Sequence, residues 1–263
     1  MTYCVGMLLD TGLVFLADSR TSAGVDQINS FRKTAVFQRP GDRVMVLQVA
    51  GNLAITQAVV TLLREHENST TNPTLDLQSC SNMFEAARCV GEALREVHRR
   101  DAQSLKEFGV EFNAKMILGG QIRNEEPRLF SIYSAGNFIE ALPETTYFQI
   151  GESKYGKPII DRVIRRSSSL NEATKCALVS MDSTIQSNLS VGLPLDLVIL
   201  RRDQFTVARH MSIDSDNVYF RGIRSRWSAA LREAFVELPD PDWLSDRQVE
   251  RPSPATVTTI KGS

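Results

Sequence analysis

Cysteine, histidine and tryptophan are scarce in this chain, and an excess of charge of either sign is missing. Among 263 residues there are four cysteines, three histidines and two tryptophans, with 30 Lys and Arg against 31 Asp and Glu. Cys4, Cys80, Cys89 and Cys176 form no CxxC pair and lack metal-finger spacing, so they read as buried thiols rather than disulfides. His66, His98 and His210 are too scattered for a zinc site, and no metal or organic cofactor is expected. A formal net charge of −1 provides no global field for nucleic acid or an anionic membrane surface. Long apolar runs are missing as well: residues 44–50 are strand-sized, far short of the ~20 residues of a spanning helix. The first residues have neither a basic start nor an apolar h-region, so no signal peptide is expected and a cytoplasmic location is. No repeat of solenoid length occurs.

What is present is a hydrophobic fraction of 42%, enough for a sizeable core. Residues 3–9 and 12–17 are apolar runs around Asp10-Thr11-Gly12, which reads as a β-hairpin. Residues 35–38 and 43–50 repeat the pattern around Arg39-Pro40-Gly41-Asp42, where Pro-Gly marks a turn. Helical spacing follows at 53–67, before a polar stretch at 68–72, and again at 83–99, where Phe84, Ala87, Val90, Leu94 and Val97 share a face. Residues 114–121 return to strand character, 128–135 and 138–142 read as a hairpin around Gly136-Asn137, and 147–150 form a short strand running into Gly151. Residues 157–166, with Pro158 near the start, and 171–186 predict two more helices. Residues 195–201 and 205–210 form a closing strand pair around Arg202-Asp203. This order predicts an α+β fold, a four-layer αββα sandwich of two antiparallel sheets between helix layers. The domain is expected to span 1–212, followed by a helical extension over 213–246. There the amphipathic helix 225–238, with Trp227, Leu231 and Phe235 on one stripe, needs an apolar surface from its own sheet or a neighbouring subunit. The Pro/Ser/Thr-rich tail 247–263 reads as disordered.

Thr2 is the most chemically suggestive residue. A small residue behind the initiator allows removal of Met1, which would leave an α-amine beside the Thr2 hydroxyl. That amine can serve as the base for its own hydroxyl. Its reference pKa of roughly 7.7–8.0 leaves it about half neutral near physiological pH. The alternative is an ordinary strand-start threonine with Met1 retained. Asp18 follows an apolar run, where a buried carboxylate needs a partner. Lys33 is spaced to be that partner. The bland readings are a turn aspartate and a surface lysine.

In chain order, Thr2-Tyr3-Cys4-Val5-Gly6, Leu16-Ala17-Asp18-Ser19-Arg20, Phe31-Arg32-Lys33 and Val49-Ala50-Gly51 resemble a proteasome β-subunit over roughly the first 55 residues. The order of elements extends the likeness to about residue 210. The run from Asp18 to Asp26, Ser30-Phe31-Arg32-Lys33, Ile150 through Pro158, and Ser187 through Gly192 are similar to the bacterial Anbu branch. The C-terminal extension fits that branch better than the shorter ATP-dependent bacterial peptidase.

The resemblance implies an N-terminal nucleophile hydrolase fold, threonine peptidase activity on a peptide or protein substrate, and a ring or lock-washer homo-oligomer. An ATPase or other regulator stays open. It implies Thr2 as nucleophile, with Lys33 lowering the hydroxyl pKa and holding the amine neutral. Asp18 would fix Lys33, the Gly51 N–H would face the oxyanion, and Ser190 would bring a hydroxyl to the Thr2 amine. Gly51 as a simple strand-to-helix turn remains the competing role. Val49 would form the base of an apolar pocket of medium depth, with Thr21 and Ser22 lining the groove for an extended peptide. Arg20 is expected to brace Asp18 or the sheet edge. Two positions depart from the family pattern: Ser187, followed by Asn188, stands where an aspartate is usual, and Glu152 replaces a serine. These departures keep two rivals in play, an amidohydrolase acting on small amides and a catalytically weak assembly subunit.

Overall fold

A computed structural model of the chain describes residues 2–22, 28–67, 73–241 and 243. The polar stretch 68–72 and the tail 247–263 lie outside the described residues. In chain order the described strands are β1 (Tyr3–Leu9), β2 (Gly12–Asp18), β3 (Arg20–Ser22), β4 (Ile28–Ser30), β5 (Thr34–Arg39) and β6 (Arg43–Gly51). Helices α1 (Leu53–Glu65) and α2 (Met83–Glu107) follow, then β7 (Ala114–Ile122), β8 (Arg128–Ile132), β9 (Phe138–Glu140) and β10 (Tyr147–Gly151). Helices α3 (Lys157–Val163) and α4 (Leu170–Ser187), strands β11 (Leu195–Arg201) and β12 (Val207–Ile213), and helix α5 (Val218–Val236) complete the order.

Two antiparallel sheets result, β10-β1-β2-β11-β12 and β5-β6-β7-β8-β9. Every residue of β1 and β2 is buried, which explains why these strands read as continuous apolar runs rather than alternating ones. Cys4, Phe15, Val46, Ile117 and Val198 fill the space between the sheets. Helices α1 and α2 cover one outer face, setting Ile55, Val59, Val90 and Leu94 against Met45, Leu47 and Phe130. Helices α3 and α4 cover the other, setting Ile160, Ala177 and Met181 against Val5, Met7 and Leu16. The layers are therefore α, β, β, α, as the element order predicts. All four cysteines are free and buried. Among the described residues, no helix is long and apolar enough to cross a membrane.

Local chemistry sets several boundaries. Asn52 caps α1 by accepting the N–H groups of Ala54 and Ile55, and Ser169 with Glu172 forms a reciprocal capping box on α4. Helix α2 runs two turns beyond residue 99. Its apolar stripe stops at Val97, but the polar residues that follow are good helix formers and need no core contact. Helix α3 ends earlier than expected, at Val163, because Ile164 is extended. The β3–β4 ribbon went unanticipated, since three-residue strands are too short for alternation to register.

The chain divides into two compact units, Met1–Arg224 and Ser225–Ser263. Helix α5 begins at Val218 rather than near 225: the Phe220 N–H donates to Asn217 Oδ1 at 2.9 Å and the Phe220 ring is buried. Within the second unit, Leu231, Phe235, Val236 and Leu238 are exposed.

Candidate active site

The site is built where β1 begins. Tyr3 pairs with Gly151, and the Thr2 carbonyl accepts the Glu152 N–H at 2.6 Å. Gly151 has φ +84°, and a Cβ there would overlap the Thr2 carbonyl, so only glycine lets β10 approach this closely. The main chain of Thr2 is thereby fixed to its neighbouring strand.

Asp18 ends β2 and is wholly buried. Its Oδ1 accepts the Tyr3 N–H at 2.9 Å and the Lys33 Nζ at 2.7 Å. Lys33, itself buried, also donates to the Arg20 carbonyl at 2.7 Å, and its own carbonyl accepts the Val49 N–H at 2.9 Å. Two of the three ammonium protons are committed, leaving a third for the cleft. Burial pushes the Asp18 carboxyl above the usual carboxylate range, while the Lys33 charge and the Tyr3 N–H pull it back. The buried Cys4 thiol is also pushed up by desolvation and donates to the Val49 carbonyl at 3.7 Å.

Gly51 ends β6 with φ +118°, and a Cβ there would run into the Asn113 carbonyl, which accepts the Asn52 N–H at 2.8 Å. A sharp strand-to-helix turn is thus pressed against the start of β7. Thr2, Lys33, Val49, Ala50, Gly51 and Gly151 line one cleft of about 1450 Å³, which continues along α1 past Gln57 and Thr61.

Of the residues anticipated from sequence, Thr2, Asp18, Lys33, Val49 and Gly51 come together here. Thr21 and Ser22 lie on β3, in register with Asn29 and Ile28, and their side chains lie outside the described residues. Ser190 is half-buried in the turn between α4 and β11 and is absent from the described residues lining the cleft. Its N–H donates to Asn188 Oδ1 at 2.9 Å, Asn188 Nδ2 donates to Glu152 Oε2 at 3.2 Å, and Glu152 in turn holds the Thr2 carbonyl. Glu152, one of the two departing positions, is therefore the partner of Asn188, the residue that follows the other, Ser187. Arg20 does not brace Asp18. Its guanidinium lies against Gly192 and donates to the Leu189 carbonyl at 3.1 Å, so it braces the turn that carries Ser190. Among the described residues, no group of three or more His, Cys, Asp or Glu is arranged to hold a metal.

The sequence profile described as "Proteasome subunit" matches residues 2–200. "Proteasome subunit beta 2" from Nitrosopumilus maritimus is 27% identical over 78% of this chain and 88% of its own length. Among solved structures, an Anbu (Gly-1) mutant from Hyphomicrobium sp. strain MC1 has 51% identity and a TM-score of 0.86, covering 92% of this chain and 100% of that one. Anbu from Yersinia bercovieri has 50% identity and a TM-score of 0.84 over 91% and 98% of the two chains. A structure described as the helical assembly of the Anbu complex from Pseudomonas aeruginosa has 45% identity and a TM-score of 0.86, with the same coverage.

Proposed function

Because this chain belongs to the proteasome subunit family and is a homologue of the Anbu proteins, we propose that it is a threonine peptidase whose nucleophile is Thr2 after Met1 is removed. The observation that carries this reading is the cleft that gathers Thr2, Gly51 and a Lys33 ammonium held by a buried carboxylate. In the proposed reaction the Thr2 amine takes the proton from its own hydroxyl, and Oγ1 attacks the amide carbonyl. The Gly51 N–H faces the oxyanion of the tetrahedral intermediate. Collapse breaks the C–N bond, the protonated Thr2 amine returns its proton to the leaving amine, and an ester to Thr2 remains. Water, deprotonated by the same amine, then hydrolyses that ester and regenerates the hydroxyl. Lys33 favours the neutral amine and the ionising hydroxyl by its charge. Glu152, Asn188 and Ser190 support the terminus from behind.

Peptides or proteins are the proposed substrates, since a cleft of about 1450 Å³ exceeds the roughly 300–1,000 Å³ of small-ligand sites. Self-compartmentalisation in a homo-oligomer in the cytoplasm belongs to the same reading. The helical assembly described for the Pseudomonas aeruginosa relative and the exposed apolar residues of α5 support it. A feeding ATPase or other regulator remains an optional partner.

Intact mass with and without a peptide epoxyketone tests the chemistry. The expected result is loss of the Met1 mass and one stoichiometric adduct on Thr2. Quantitative retention of Met1, or full activity in a protein that refuses the adduct, overturns the mechanism. A purely 29.3 kDa species in light scattering would reject obligate assembly.

A further inference from the structure

The whole chain is close to neutral, at −1, yet the walls of the Thr2 cleft are not. Arg20, Arg32, Lys33, Arg64, Arg100 and Lys115 line it, with Glu65 as the lone carboxylate among the described lining residues. Two of these cations are neutralised locally: Lys33 by Asp18 at 2.7 Å, and Arg100 by Asp101 at 2.8 Å. Arg20, Arg32, Arg64 and Lys115 have no carboxylate within 4.0 Å among the described residues, which leaves an excess of three positive charges over Glu65.

Their placement follows the proposed path of a substrate. Arg32 directly precedes Lys33, and Lys115 on β7 stands opposite Ala50 on β6, one residue from Gly51. Arg32, in the connection between β4 and β5, and Lys115, on β7, therefore line the same cleft as Thr2. Arg64 lies in the last turn of α1, the helix that walls the cleft. Arg64 comes eleven positions after Leu53, a rise of about 16 Å, or roughly five residues of extended peptide. Between these points the lining is a mixture of apolar (Ala54, Ala58, Val60) and neutral polar (Gln57, Thr61) residues. A concave surface with low-dielectric walls and one sign of charge focuses its field on what enters.

We propose that this cleft selects extended peptide segments bearing acidic side chains, held near the scissile bond by Arg32 and Lys115 and about five residues away by Arg64. The inference rests on the peptidase reading for the location of the scissile bond, and its test separates the two. Binding of fluorescein-labelled ten-residue peptides, rich in Asp and Glu, neutral, or rich in Lys, is measured by anisotropy on the assembled Thr2→Ala protein. Three or four exposed ion pairs together are expected to favour the acidic peptide over the neutral one by roughly tenfold in low salt. That preference should vanish near ~0.5 M salt, where the Debye length falls below ~5 Å. The Arg32→Glu/Lys115→Glu variant should lose the preference, and Arg32→Gln/Lys115→Gln should weaken it, with light scattering unchanged.

Equal affinity for acidic and neutral peptides overturns the proposal. So does a charge-reversed variant that falls apart while keeping its peptide preference, because the cations would then belong to contacts between copies. If wild type cleaves peptides without regard to acidity, this inference alone fails. If acidic peptides bind preferentially but Thr2 never takes the epoxyketone, the peptidase reading alone fails.

Discussion

Replacing Lys33 by methionine keeps most of the side-chain volume and removes one charge, and the effect should depend strongly on pH. In the native protein Asp18 is wholly buried and its Oδ1 holds the Lys33 ammonium at 2.7 Å. With the ammonium gone, the carboxylate keeps backbone N–H groups, that of Tyr3 at 2.9 Å and that of Gly192, but no opposite charge. A buried ion pair broken on one side costs about 3–5 kcal/mol, because the surviving charge is left uncompensated. For a domain of this size that corresponds to a fall in Tm of roughly 6–20 °C. Burial already raises the Asp18 carboxyl, and loss of the Lys33 charge raises it further. A carboxyl whose folded value lies above its unfolded value of about 3.9 favours the folded state below that value. The benefit is lost as pH rises through the folded value. The penalty of Lys33→Met should therefore be smallest below about pH 4 and should grow as pH rises through the raised Asp18 value. The Asp18→Asn/Lys33→Met double variant buries no charge and should recover most of the loss. Thermal melts at fixed protein concentration across this range, with assembly followed by light scattering, provide the check. A penalty that is flat with pH, or a double variant no more stable than the single one, would refute the reasoning.

Thr2→Ala should abolish peptide turnover and epoxyketone labelling while leaving Tm within a few degrees, measured by fluorogenic peptide assay and melting. Gly151→Ala places a side chain at φ +84° against the Thr2 carbonyl, so it should cost about 1–3 kcal/mol and shift the nucleophile, with a larger loss in kcat than in KM. Glu152→Ala strips Asn188 Nδ2 of its buried acceptor, for about 1–3 kcal/mol, and Glu152→Gln, which retains an acceptor oxygen, should cost less in urea unfolding. Ser169→Ala removes one half of the α4 capping box and should lower stability by about 1 kcal/mol without changing epoxyketone labelling.

The layers were legible because β1 and β2 are long apolar runs, β6 is broken only by Gln48, and the helices carry clean apolar stripes. Asp18, Lys33 and Gly51 each had a bland alternative when taken singly, and it was their order alongside Thr2, shared with the proteasome β-subunit pattern, that singled them out together. The far half of α2 was not, since solvent-facing polar residues leave the helical period without a phase. The connection from Glu152 through Asn188 to Ser190 joins residues 36 apart, and nothing in either local stretch announces the other. The positive lining was invisible for the same reason, as Arg20, Arg32, Arg64 and Lys115 are distant in sequence and only the fold collects them.

Because β1 pairs with β2 on one side and β10 on the other, with all seven of its residues in the interior, it has no freedom to slide. A slip by one position would turn each of those side chains to the opposite layer. Recombinant material carrying leftover tag residues ahead of Thr2 could not absorb them by shifting the strand. They would protrude into the mouth of the cleft instead, so an inactive preparation should have its leading end checked before its chemistry is doubted.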